Sequence, residues 1–167
     1  LQKGHGVAFG DIDHDGDQDV FAVMGGAFTG DTAPNVLFEN PGHGNHWIKL
    51  RLEGVRSNRG AIGARIKVSV NTADGARDVY ATVTSGSSFG TSSLQQEIGL
   101  GRATSIRAIK IVWPASGEVQ VFEDVAMDQF LHIREGDPVP LALEFKSFDL
   151  SPDNGAGTWT HAHRDQN

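Results

Sequence analysis

An all-β fold, built around an antiparallel β-sandwich of about seven strands, is predicted by three features of this sequence. Short runs alternate apolar and polar residues with a period of two. The 21 glycines punctuate those runs at fairly regular spacing. No stretch carries the longer apolar period of an amphipathic helix.

The strands are justified in order. GVAFGDI (6–12) and DVFAVM (19–24) flank the acidic stretch DHDGDQ (13–18), and the glycine-rich connection GGAFTGDTAP (25–34) leads to a third strand, NVLFEN (35–40). Pro41 and Gly42 then break the chain. A second set begins with HWIKLRLEG (46–54), where Ile48, Leu50 and Leu52 are expected to face a core and Trp47, Lys49 and Arg51 to face water. ARIKVSV (64–70) holds Ile66, Val68 and Val70 in phase, and DVYATVTS (78–85) holds Val79, Ala81 and Val83 in phase. LQQEIGLG (94–101) follows. In SIRAIKIVW (105–113), Ile106, Ala108 and Lys110 alternate with Arg107, Ile109 and Ile111. EVQVFEDV (118–125) and QFLHIREG (129–136) complete the set, with hairpin-type turns at 71–75 (NTADG) and 114–117 (PASG). Beyond residue 136 the sequence offers one further strand, LALEFKSFDL (141–150), before a polar, glycine-containing tail. Three segments result: 1–42, 43–136 and 137–167.

Composition narrows the function. At 38% hydrophobic and 21% charged, the 167 residues match an ordinary globular chain. No apolar run approaches the roughly 18 residues of a membrane helix, so no membrane insertion is expected. Zero cysteines exclude disulfides, thiolate zinc sites and cysteine nucleophiles. The chain starts at Leu1, which is read as a processed or truncated product. The net charge is −7, without a basic patch, so nucleic acid is not an expected partner. Five of the 21 acids lie between Asp11 and Asp19, leaving 16 against 14 bases elsewhere. The acidity is local.

That local knot, DIDHDGDQD, places Asp11, Asp13, Asp15 and Asp19 at positions 1, 3, 5 and 9 of a loop with Gly16 at position 6. Alternate residues of a tightly curled loop aim their carboxylates at one point, and Gly permits the reversal. So many hard oxygens suit Ca²⁺, which takes about six to eight, better than octahedral Mg²⁺. Asp17, at position 7, is expected to give its backbone carbonyl. Position 12 is Ala22 rather than the glutamate of an EF-hand, and the flanks are strands, so the expectation is a calcium-binding β-hairpin loop. The competing reading is a solvated acidic turn, which would leave five carboxylates repelling one another.

The stretch FGDIDHDGDQDVFAV (9–23) resembles an FG-GAP or VCBS-type repeat, with Phe9 and Gly10 as its FG. SNRGAIGARIKV (57–68), LQQEIGLG (94–101) and IKIVWPASGEVQVFEDVAMDQFLHIREG (109–136) resemble the ASPIC/UnbV domain of the cartilage acidic protein-like family. Ala115 departs from that pattern by separating Pro114 from the Ser-Gly pair, which should only lengthen a turn. The resemblance implies a partial β-propeller blade with a calcium loop ahead of the sandwich. It also implies an extracellular or periplasmic, secreted protein with a role in binding or adhesion and no catalytic activity. Its partners would be another protein or other copies of itself, with carbohydrate as a further possibility. Residues 1–42 supply less than one blade, whereas a propeller needs about four, so the open strand edges invite pairing.

Rival readings rest on other residues. A structural subunit of a complex or filament would use the open edges and the tail. A hydrolase would use Ser88, in the G-x-S-x-G of 86–90, or the aspartate loop with its metal; the former wants a helix after the serine, and the latter wants an open coordination position. Arg59 and Arg65 are expected to pair with carboxylates such as Glu97 or Asp124, with an anion clamp as the rival. Trp47, Phe89 and Trp113 are candidates for stacking on sugars, and core packing is favoured for Trp47 and Trp113. His14 is read as an exposed spacer, and His161 and His163 as a pair with too few ligands for a zinc site. His43 and His46 carry no assignment.

Overall fold

A computed structural model describes residues 4–26, 28–30, 33–86 and 91–150. Ser88, Phe89, His161 and His163 lie outside the described residues, and the hydrolase motif and the tail histidine pair with them. The chain divides into two compact units, Leu1–His43 with Phe145–Asn167, and Gly44–Glu144.

In the first unit, β1 (Gly4–Gly10), β2 (Asp19–Met24) and β3 (Val36–Phe38) form an antiparallel meander in the order β1-β2-β3. Gly10 pairs with Asp19, so the eight intervening residues are the hairpin connection. The second unit holds β4 (His46–Glu53), β5 (Arg65–Thr72), β6 (Gly75–Thr82), β7 (Gln96–Gly101), β8 (Ala103–Val112), β9 (Val119–Glu123), β10 (Phe130–Arg134) and β11 (Leu141–Leu143). They make two four-stranded sheets, β11-β10-β4-β7 and β6-β5-β8-β9. No helix occurs among the described residues, and hence none there is long and apolar enough to cross a membrane.

Period-two alternation produces the core. Ile48, Leu50 and Leu52 of β4, Ile66, Val68 and Val70 of β5, Ile98 and Leu100 of β7, and Leu131 and Ile133 of β10 are all buried in one apolar cluster between the sheets. Trp113 joins them, and its indole N–H donates to the side-chain oxygen of Gln120, which satisfies the one polar atom of a buried Trp. Val83 is buried while Val79 and Ala81 are partly buried against the cluster.

Four features differ from the sequence expectation. The alternation in β8 would put Ile106 and Ile109 on opposite faces, yet both are buried. The register explains it: Ser69 pairs with Ala108 and Val70 with Ile106, so Arg107 is the extra residue of a β-bulge that reverses the phase. Most pairings are antiparallel, but β10 lies parallel to β4. Lys49, expected in water, is buried, with Nζ 3.6 Å from the Glu97 carboxylate and 4.8 Å from the Trp47 ring centroid. Trp47 itself is half-buried and outside the core cluster. Finally, only the first three residues of 141–150 form a strand, β11, which pairs antiparallel with β10.

Because Ile109 is fully buried between the sheets, Ile109→Ala removes three carbons and leaves a cavity. The expected loss is about 2–5 kcal/mol of unfolding free energy, read from urea denaturation, against less than about 0.5 kcal/mol for Lys110→Gln at its exposed neighbour.

Candidate metal centre

The loop between β1 and β2 is shaped by backbone geometry that its sequence permits. Gly16 has φ 106° and His14 has φ 61°, so the chain turns through the left-handed region twice in three residues. The curl is stitched by its own carboxylates: the Asp15 N–H donates to Asp13 Oδ1 at 3.2 Å, the Gly16 N–H to Asp11 Oδ2 at 3.2 Å, and the Asp17 N–H to Asp15 Oδ1 at 2.8 Å.

This curl brings Asp11, Asp13 and Asp15 together, with one carboxylate oxygen from each lying within 4.8 Å of the others. Asp17 and Asp19 do not belong to that group. The Asp17 N–H binds Asp15, and its Oδ2 would stand 3.0 Å from a Cβ at Gly42, which is a close approach for any other residue there. Asp19 is almost wholly buried and acts as a clasp: Oδ2 accepts the Ile12 N–H and Oδ1 the Asn40 N–H, both at 2.9 Å, tying the loop to the exit from β3. His14 is exposed to solvent on one side, and its ring meets Phe145 and Phe148 edge-on at 5.2 and 5.8 Å. The Phe148 N–H donates to the Asp13 carbonyl at 2.9 Å, so the segment after residue 144 packs on this loop.

Electrostatics within the loop are unfavourable without a cation. Burial raises the Asp13 carboxyl above the ordinary carboxylate range; the Asp15 N–H opposes this, and the charges of Asp15 and Asp19 add to it. Burial and the Asp15 charge raise the Asp17 carboxyl in the same way. Three carboxylates at such separation, on a loop with a left-handed Gly, fit a hard divalent cation by donor chemistry.

A second polar cluster, not foreseen from the sequence, lies in the sandwich. Glu135 is buried at the end of β10. Its Oε2 accepts the N–H groups of Val55, Arg56 and Ser57, each at 2.7 Å, and its Oε1 accepts the hydroxyls of Ser57, at 3.0 Å, and Ser116. The inserted Ala115 uses its N–H to bind the Ser57 hydroxyl at 3.3 Å, so the lengthened turn is anchored. Nearby, the Asn58 side chain closes the 58–62 turn by bonding both the N–H and the carbonyl of Ile62 at 2.8 Å. Ala61 takes a left-handed φ of 54° in that turn and is fully buried. Only Gly fits at position 54, where a Cβ would sit 2.2 Å from the Asn58 carbonyl oxygen.

The family model described as ASPIC and UnbV matches residues 54–140, more than half of the chain. The chain belongs to that family. The ASPIC and UnbV match starts at Gly54 and takes in Ser57, Ala61, the 113–117 turn and Glu135, so it contains the buried network just described. No curated protein sequence matches the chain. The sequence signals for Glu135 were the serine ahead of the 59–65 motif and the serine of the 114–117 turn, whose common partner no local pattern names.

Glu135 also sets a pH dependence. Burial alone would raise its carboxyl, but the hydrogen bonds from Ser116, Ser57 and Val55 outweigh it and pull the pKa from 4.5 down to about 2. A carboxyl depressed in the folded state contributes stability that is complete above about pH 4.5 and is lost as the pH falls through about 2. Melting temperature measured from pH 6 to pH 2 should fall over that window in the native chain. Glu135→Ala, which strands three buried N–H groups, should be destabilised by about 3 kcal/mol or more at neutral pH and lose that contribution to the acid slope.

Proposed function

We propose that this chain is a calcium-stabilised binding or adhesion module, without catalytic activity, that works outside the cytosol. The observation that carries the reading is the convergence of Asp11, Asp13 and Asp15 on one point, between two antiparallel strands that the loop joins. These three would hold the ion, with Asp17 and Asp19 as the further donors that the loop spacing suggests. Calcium would supply two positive charges to a loop that otherwise holds five like charges in nine residues. Its role would be to keep β1 and β2 in register, as an FG-GAP or VCBS-type loop is expected to do, and a calcium-rich extracellular or periplasmic setting would keep it loaded. Membership of the ASPIC and UnbV family supports a non-catalytic module of extracellular type.

The test is thermal. In the full chain, chelation by EDTA should lower the melting temperature of the first unit and excess CaCl₂ should restore it; at about 100 times Kd the gain is about 2.7 kcal/mol. Mg²⁺ at the same concentration should do less, and Asp13→Asn should weaken the calcium response about tenfold or more. A native chain that shows neither bound metal nor any melting shift with calcium would refute the calcium assignment.

A second reading, assembly through the blade-like sheet, is favoured by one observation. Val7 and Phe9 of the edge strand β1 are 63% and 64% exposed, an apolar pair on a strand that pairs only with β2 among the described residues. Light scattering separates the readings: a concentration-dependent mass that drops to the monomer in Val7→Lys supports assembly, and a monomer throughout supports the solitary module.

A further inference from the structure

The outer face of the β11-β10-β4-β7 sheet carries a groove of about 620 Å³. Its floor comes from adjacent strands, because Arg51 of β4 pairs in register with His132 of β10 and Glu53 lies two residues further along the same face of β4. Arg59 stands on one wall, with Ser93, Leu94 and Gln95 ahead of β7, and Leu143 of β11 lies on the far side. The wall at Gly60 is close: a Cβ there would sit 3.1 Å from Leu94 Cδ1, so the absent side chain leaves room for the leucine at the rim.

Charge in this groove is unbalanced. Glu53 is its one carboxylate, and it is already divided, with Oε1 3.8 Å from Arg59 Nε and Oε2 3.2 Å from His132 Nε2. Neither Glu97 nor Asp124 partners Arg59; Glu97 is taken by Lys49, and the Arg59 side chain remains 90% exposed. Arg51 is exposed and makes no ion pair among the described residues. Arg65 makes none there either, but it lies on β5 in the other sheet. Two guanidiniums therefore face one carboxylate, an excess of one positive charge in a chain whose net charge is −7.

We propose that the groove binds an acidic saccharide through a single carboxylate, of the uronate class. A guanidinium offers paired donors that match a planar carboxylate, and with Arg59 Nε turned to Glu53 its terminal nitrogens are left for a ligand. One negative charge on the ligand neutralises the groove. A polyanion such as nucleic acid would meet a repulsive field from the rest of the chain. The remaining lining suits sugar hydroxyls and C–H faces: the Ser93 oxygen accepts the Gln95 N–H at 3.1 Å and keeps its own O–H to donate, the Glu53 oxygens accept, and Leu94 and Leu143 are apolar. The volume lies within the range of small-ligand sites and suits a disaccharide. All of these residues belong to the sandwich unit, so the proposal does not depend on metal at the aspartate loop.

Calorimetric titration of the full chain with β-linked glucuronosyl-glucose, a disaccharide with one carboxylate, tests it, with cellobiose as the neutral analogue and inorganic sulfate as the simple oxyanion. The expected result is saturable binding of glucuronosyl-glucose and none of cellobiose. Arg51→Gln and Arg59→Gln should each weaken binding about tenfold or more with unchanged melting temperature, while Lys110→Gln on the opposite sheet has no effect. Absence of glucuronosyl-glucose binding, or binding by the arginine variants as tight as by the native chain, overturns the proposal. Binding of sulfate alone, lost in the same variants, also overturns it and leaves a simple oxyanion site.

Discussion

The Glu135 carboxylate gathers chain segments that are far apart in sequence, two of which the parallel pairing of β10 with β4 already brings side by side. It receives three N–H groups from residues about 80 positions earlier and a hydroxyl from the turn between β8 and β9. A buried carboxylate is tolerable only when its lone pairs are filled, and here five donors fill them, so the network is stabilising where an unpaired charge would be severely disruptive. Through it, the loop that leaves β4, the turn that closes the β8–β9 hairpin and the end of β10 are held in one geometry. The groove on the outer face inherits that geometry, because Glu53 closes β4 immediately before the pinned loop and His132 lies on β10 three residues before Glu135, which follows the strand.

The two units are stabilised by different physics. The sandwich has a contiguous apolar core between its sheets, and its polar interior groups are satisfied by hydrogen bonds or ion pairs. The three-stranded unit carries a concentrated negative charge in one hairpin loop, stitched by local backbone bonds to its own carboxylates. Like charges held this close favour protonation or a bound cation, whichever the surroundings supply. Asp19 is the exception within the loop, since both its oxygens are committed to backbone donors and its burial serves the fold first.

Alternation along a strand separates the sandwich into an inside that packs and an outside that can recognise. On β4 the odd positions from Trp47 to Glu53 face away from the core, and they include a buried lysine against a tryptophan as well as an arginine left unpaired among the described residues. The same backbone thus supplies apolar cohesion on one face and charged chemistry on the other.

Much of this was legible in the sequence because it is local. Period-two patterning located all three strands of the first sheet and seven of the sandwich, since side-chain direction alternates whatever a strand pairs with. The acidic loop was legible for the same reason, as Asp11, Asp13, Asp15 and Gly16 lie within one curl. Arg107 marks where local reading stopped: a bulge is defined by the partner strand, and only the pairing of β8 with β5 shows that Ile106 and Ile109 share a face. The parallel pairing of β10 with β4, the Glu135 network and the meeting of Arg51, Glu53, Arg59 and His132 in one groove were decided by tertiary structure. Each joins residues from separate strands or loops, and sequence patterns report the faces of strands but not which strands become neighbours.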